Sequence, residues 1–206
     1  MVDKEVVREG YDELAPDYAE QREAVGDGVE ALEAMLADLP ADSRVLDAGC
    51  GQGTPVLERI ETEATGVGAD LSRGQLGLAA GNVPTAALAQ TDMTRLPFTE
   101  GAFDAVTTYY SLVHIPEGDH QIVIDEFARV LRPGGRAIVI EGTNEWRGSN
   151  SDWLDSGTEM QWHIVGPDAT REQLRNAGFE VREERVVGGS LEEEGDWQMF
   201  VAELAE

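Results

Sequence analysis

The sequence predicts an α/β fold, a largely parallel sheet with helices on both faces. Three observations predict it. Short apolar runs alternate with helix-like segments through residues 44–141. The first run leads into a glycine-rich turn and then a helix start. Two longer alternating segments close the chain and read as an antiparallel pair on the sheet edge.

Residues 9–39 read as helical. Tyr11, Leu14, Ala15 and Tyr18 follow i, i+3, i+4, i+7, with Pro16 expected to break the stretch in two. Val29, Leu32, Leu36 and Leu39 form a second stripe that Pro40 ends. Strands are expected at 44–47, 65–70, 86–90, 103–108 and 136–141. The clearest helix between them is 121–131, with Val123, Phe127, Val130 and Leu131 on one face and Pro133-Gly134-Gly135 as the stop. Residues 142–167 fit no periodic template and are expected as a long loop. Thr170-x-x-Gln173 reads as a capping box, and Gly178 as the end of that helix. The edge pair is 179–187 and 197–204, joined by GGSLEEEGD.

A length of 206 residues suits one domain. We divide it into a helical cap (1–40), a cofactor-binding core (41–141), a substrate lid (142–167) and a C-terminal helix with its strand pair (168–206). Fifteen basic against 41 acidic residues give a net charge of −26, which argues against nucleic acid and anionic membranes as partners. Lys4 is the only lysine, and the acids are spread along the whole chain. The composition resembles that of haloarchaeal cytoplasmic proteins. At molar salt the Debye length is ~3 Å, so dense carboxylates repel little, and halophilic adaptation is the expectation. The single cysteine, Cys50, excludes intramolecular disulfides and a four-cysteine zinc site. No apolar run approaches the ~18 residues of a membrane span, and MVDKEVVREG has no apolar signal core. A cytoplasmic location is expected.

The most informative segment is VLDAGCGQGT, residues 45–54. Its glycines let a ligand approach the backbone. A dinucleotide fingerprint needs glycines at positions 1, 3 and 6, and here the sixth position is Thr54 or Val56. Asp47 before the loop would repel a pyrophosphate but suits an ammonium group. Asp70 ends the second strand, where an acid accepts from ribose hydroxyls or caps the next helix. Asp92 ends the third and can accept from an adenine amine, with Met93 against the ring, or cap a turn. Together these residues describe an amino acid, a ribose and an adenine without a pyrophosphate. S-adenosylmethionine is the natural candidate.

VLDAGCGQGT, GADLS, TDMTRLPFTEGAFDAV and RVLRPGG closely resemble the class I S-adenosylmethionine-dependent methyltransferases, of the type 11-like small-molecule group. The resemblance implies a Rossmann-like seven-stranded sheet in order 3-2-1-4-5-7-6 with strand 7 antiparallel. It implies that Asp47, Gly49, Cys50, Gly51 and Gly53 hold the methionine moiety. Asp70 and Leu71 would take the ribose and adenine edge, Asp92 and Met93 the adenine. Tyr109 would line the sulfonium side. YDELAPDYAEQR resembles the N-terminal helix that covers the cofactor, with Tyr11 and Tyr18 facing it. No Asn/Asp-Pro-Pro-Tyr motif follows the fourth strand, which argues against DNA-base and glutamine amino-methylation. Gly74, Gly77 and Gly81 weaken the helix after the second strand and argue against Gln75 as a contact.

Methyl transfer needs mostly alignment, and a base only where the acceptor must lose a proton. The catalytic candidates are His114 and Tyr109, with Glu141 a further possible base. His114 equally suits tying down its loop. Trp146, Trp153 and Trp162, with His163, suggest a lid over the acceptor or a satellite core. His120 is expected on a solvated helix face. The expected function is methyl transfer to a small-molecule or lipidic acceptor, by a monomer or homodimer, with no metal. A non-catalytic S-adenosylmethionine-binding protein is the alternative. A nicotinamide-dependent reductase is disfavoured by the glycine spacing.

Overall fold

The structure, a computed structural model, describes residues 2–21, 26–189 and 195–206. The GGSLEEEGD connection therefore lies largely outside the described residues. In chain order the elements are α1 (Lys4–Gln21), α2 (Gly26–Ala37), β1 (Arg44–Ala48), α3 (Val56–Glu63), β2 (Thr65–Asp70), α4 (Arg73–Asn82) and β3 (Ala87–Gln90). There follow β4 (Phe103–Tyr109), α5 (His120–Val130), β5 (Leu131–Gly142), β6 (Trp146–Trp153), β7 (Thr158–Ile164), α6 (Pro167–Asn176), β8 (Phe179–Val187) and β9 (Trp197–Leu204).

Short apolar runs make parallel strands here because both faces of the sheet are covered. One face packs Val106, Val139, Phe127 and Phe200 into a core with α5 and α6. The other packs Val45, Ala105, Ile138 and Ile140 against α2 and α3. The sheet order is β3-β2-β1-β4-β5-β9-β8, with β9 antiparallel to both neighbours. Counting only the strands of this sheet, the order is 3-2-1-4-5-7-6. The chain runs outward from β1 to β3 on one side and from β4 to β5 on the other. The crevice at the carboxyl ends of β1 and β4 is the switch point where such sheets bind ligands.

Several expectations are corrected. α1 starts at Lys4 and passes through Pro16 unbroken. An internal proline costs ~3 kcal/mol in an isolated helix, but α4 is pressed against this turn. A Cβ on Gly74 would lie 2.9 Å from the Asp12 carbonyl oxygen. Asp12 Oδ1 also accepts from Ser72 Oγ at 2.7 Å and Gly74 N at 2.8 Å. The expected loop at 142–167 contains a hairpin: β6 and β7 pair antiparallel in a sheet of their own. It escaped notice because β6, WRGSNSDW, is apolar only at its ends and mostly exposed. Packing on α1 holds it. Met160 of β7 is fully buried, and a Cβ on Gly10 would lie 2.9 Å from both Glu159 O and Met160 Cε.

α6 begins one turn earlier than the capping box implied. Pro167 occupies its first position, and Thr170 lies inside, its Oγ1 donating to Gly166 O at 3.0 Å. Pro133-Gly134-Gly135 lies within β5, where the pairing with β4 shifts register.

Candidate active site

A cavity opens at the switch point, under α1. The strand tips supply its floor. Gly49 turns the chain out of β1 with φ +76°, and a Cβ there would lie 2.2 Å from Ser111 Oγ and 2.7 Å from Met93 Cε. Only glycine fits. The loop is anchored to β2: Ala69 O accepts from Gly49 N at 2.7 Å and Cys50 N at 3.1 Å. Asp70 at the tip of β2 is held by two amides. Gly51 N donates to its Oδ2 and Ser72 N to its Oδ1, each at 2.8 Å. Its carboxylate is thereby fixed on the cavity wall beside Leu71.

Asp92, beyond β3, also lines the cavity, with Met93. Its Oδ1 accepts from Thr94 N and Thr94 Oγ1, each at 2.8 Å, and its Oδ2 takes Lys4 Nζ at 2.9 Å. Burial would raise its pKa, but the Thr94 N–H and the Lys4 ammonium outweigh it and hold the carboxyl below its ordinary value. Lys4 reaches Asp119 as well, at 2.7 Å, so it ties α1 to both sides of the crevice.

The cap side is aromatic. Tyr11 and Tyr18 line the cavity, ring centroids 5.4 Å apart and edge to face. Tyr11 OH lies 2.9 Å from His114 Nε2, and His114 Nδ1 lies 2.8 Å from Gln161 O. A carbonyl only accepts, so Nδ1 carries the proton and Nε2 accepts from the phenol. Burial pushes His114 down to about 4, so it stays neutral. Tyr109 lines the cavity with its ring, but its OH donates to Gly28 O at 2.7 Å, and burial pushes its pKa far up. Neither group is set to take a proton from an acceptor.

The remaining sequence candidates lie elsewhere. Asp47 does not line the cavity. It is buried at the tip of β1, with Thr107 Oγ1 donating to it at 2.9 Å. Cys50 and Gly53 lie behind the wall, Cys50 against Leu57 and Val83. Trp153 and Trp162 back the cavity wall without lining it. They pack with Val2, Val7, Tyr11 and Met160, and Trp162 sits 5.9 Å from the His114 ring. Trp146 is half exposed, on the far side of Trp162. His163 is buried edge-on to His120 at 5.3 Å. His120 is itself only 1% exposed, donating from Nε2 to Ile115 O at 3.0 Å, not on a solvated face. Glu141 is fully buried within β5 and does not line this cavity, and burial pushes its carboxyl up to about 8.

Sequence reasoning missed Lys4 and Ser111 on the cavity wall, and Gln75, which it argued against as a contact, lines it too. Lys4 stood out only as a lone lysine, and its partner Asp92 is 88 positions away.

The donor set fits a nucleoside with an amino-acid tail. A fixed carboxylate at the second strand tip faces a loop that must be glycine, and a second carboxylate with a thioether stands at the third. A methyltransferase-domain family model matches residues 45–135. The chain is 34% identical over 160 residues to an uncharacterized methyltransferase, sll0829, of Synechocystis sp., covering 72% of this chain and 73% of that protein. The chain belongs to the S-adenosylmethionine-dependent methyltransferases. It is 41% identical over 118 residues to methyltransferase GfsG of Streptomyces halstedii, which is 52% of this chain but only 41% of that protein. The chain thus spans about two-fifths of that relative's length. Among solved structures, the Burkholderia thailandensis 1,6-didemethyltoxoflavin N1-methyltransferase superposes with a TM-score of 0.74 at 18% identity, over 98% of this chain and 88% of that one. This likeness concerns the fold.

Proposed function

We propose that this chain transfers a methyl group from S-adenosylmethionine to a small-molecule acceptor by in-line displacement. The observation that carries the reading is the Asp70 carboxylate, locked by the Gly51 and Ser72 amides at the switch-point cavity. The donor supplies an already activated methyl group. The chain's own contribution is to bind, orient and exclude water. Asp70 takes the ribose hydroxyls. Asp92, Leu71 and Met93 receive the adenine, and the glycine loop receives the methionine end. Tyr11, Tyr18 and the Tyr109 ring wall the reacting side and keep it dry, which strengthens alignment at a cationic centre.

His114 acts as a positioning residue: it holds Tyr11 from α1 and Gln161 from β7 in one place. An acceptor that is already a competent nucleophile, or that loses its proton readily to water, suits a site without a free base. The hairpin tryptophans shape the acceptor wall from behind. No helix among the described residues is long and apolar enough to cross a membrane, and the charge of −26 disfavours a nucleic-acid acceptor. The reading extends to a halophilic cytoplasmic setting, where salt screens that charge.

The test has two stages. Calorimetry in molar KCl should give binding of S-adenosylhomocysteine and none of NADH. A panel of small phenols, amines, thiols and quinols should then yield S-adenosylhomocysteine with at least one class. Tight binding with no turnover on any class would contradict the enzymatic reading.

A further inference from the structure

Tyr110, the first residue beyond β4, lines the cavity in the left-handed conformation, at φ +59°. A tyrosine is strained there, and asparagine or glycine would sit more easily. The side chain is buried and held in two directions. Its hydroxyl donates to Gly188 O at 2.7 Å, and Trp197 meets its ring edge to face at 5.0 Å. Gly188 does not line the cavity, so the hydroxyl is turned to backbone behind the wall and the ring is what Tyr110 brings to it. Tyr109 repeats the arrangement with Gly28 O. The chain has four tyrosines, and all four line this cavity.

The sheet order shows which part of the crevice this is. Asp70 ends β2 and Asp92 follows β3, on one flank of β1; Tyr109 and Tyr110 stand at the tip of β4, on the other. A Cβ on Gly49, just past β1, would meet both Ser111 and Met93, so Gly49 marks the midline. Gly188 follows β8 and Trp197 opens β9, so the partners of Tyr110 lie further out on the β4 flank. The charged residues that line the cavity are Lys4, Arg8, Asp70 and Asp92. Lys4 is paired with Asp92 and Asp119, and Arg8 with Asp12. Among the described residues the β4 flank contributes Tyr109, Tyr110, Ser111, His114 and Ile115, none of them charged, because burial keeps His114 neutral.

We propose that Tyr110 selects the methyl acceptor, and that this acceptor is an uncharged, planar aromatic molecule whose ring packs against the Tyr110 ring. A ring fixed in place favours a flat partner over a puckered one of equal size, through offset-stacked or edge-to-face contact. On this flank the protein supplies no counter-ion to an ammonium, a carboxylate or a phosphate, and each would leave water at a cost. The strained backbone at position 110 is retained because it puts an aromatic ring where the chain turns out of β4. The inference rests on the donor-site reading above and adds the class of acceptor to it.

Four probes of one size test it, each added to protein saturated with S-adenosylhomocysteine: 2-naphthol, decahydro-2-naphthol, 2-naphthoate and 2-naphthylmethylammonium. By calorimetry, 2-naphthol should bind about three- to tenfold tighter than its puckered analogue and at least about tenfold tighter than either ion. Tyr110→Leu keeps apolar bulk without the ring. It should bring the two alcohols within about twofold of each other and leave the affinity for S-adenosylhomocysteine within about twofold of wild type. Tyr110→Phe, which keeps the ring, should retain most of the preference for 2-naphthol. A wild-type protein that binds none of the four, or binds the puckered alcohol or either ion as tightly as 2-naphthol, overturns the proposal whether or not Tyr110→Leu folds. So does a full preference surviving in Tyr110→Leu, or an equal loss of S-adenosylhomocysteine, which marks a packing role. If the wild-type protein does not bind S-adenosylhomocysteine, the donor-site reading itself fails, and this inference with it.

Discussion

The two walls of the cavity are built on different principles. The wall proposed for the donor, the donor wall, is made of strand tips and backbone amides. Ala69 O, Gly51 N and Ser72 N hold the loop and Asp70 with bonds that span few residues beyond neighbouring strands. The cap wall is made of side chains from distant parts of the chain. Lys4 meets Asp92 and Asp119, Tyr11 meets His114, and Tyr18, Trp153 and Trp162 continue the ring contacts into the hairpin. The contrast teaches that the donor wall inherits its geometry from the sheet. The cap keeps its geometry only while a set of individually modest contacts holds together.

The largest effect should come from breaking the donor wall. Asp70→Ala removes a charged acceptor of two amides and of the proposed ribose bonds, each worth ~1.5–3 kcal/mol. Affinity for S-adenosylhomocysteine should fall at least about a hundredfold by calorimetry. Trp153→Ala attacks the cap instead. A partly buried indole in a small cluster contributes ~2–3 kcal/mol. Hydrogen exchange should quicken in α1 and β7 while β1 and β2 keep their protection. Equal loss in all four would show that the walls are not separable.

His114, His120 and Glu141, all buried, give the fold a pH dependence. Burial pushes His114 and His120 down to about 4, whereas the unfolded chain takes those protons near 6.5. Stability should therefore fall as pH drops from 6.5 toward 4, by ~1.4 kcal/mol per pH unit for each histidine. Burial pushes Glu141 up to about 8, so the folded state keeps a proton that the unfolded chain releases above ~4.5. Its effect has the opposite sign: stability declines as pH rises from ~4.5 to 8. Two histidines outweigh one glutamate below 6.5, so denaturant melts should peak near pH 6.5. Glu141→Gln should flatten the descending limb.

The smallest effect is expected from Lys4→Met. An ion pair this accessible contributes at most ~1 kcal/mol. Donor affinity should drop by no more than about fivefold in dilute buffer. Molar KCl should shrink the difference, while the Tm of both proteins rises as salt screens the net charge. A Tm independent of KCl would remove the halophilic reading.

Much of the donor wall was legible because its causes are local. Strand and glycine turn occupy residues 44–54 and Asp70 ends the next strand, while β8 alternates over 179–187 and β9, over 197–204, buries Met199 and Phe200 in succession. The cap was not legible, for three physical reasons. β6 owes its strand to backbone pairing and to burial of β7 on α1, not to its own alternation. α1 survives Pro16 through contacts with α4 that no helical pattern encodes. His120 and Gln75 are buried, which a polar residue in a helix does not announce. Asp47 illustrates the reverse. Its position next to the glycines was read correctly, but its side chain turns to Thr107.

Gly10 has a consequence for chemistry it never touches. Because it has no side chain, α1 settles directly on the Glu159 carbonyl, and the next residue is Tyr11. A single methyl at position 10 would wedge helix and hairpin apart and carry the phenol off its histidine. The shape of the cavity is set, on that side, by a missing carbon atom one residue outside it.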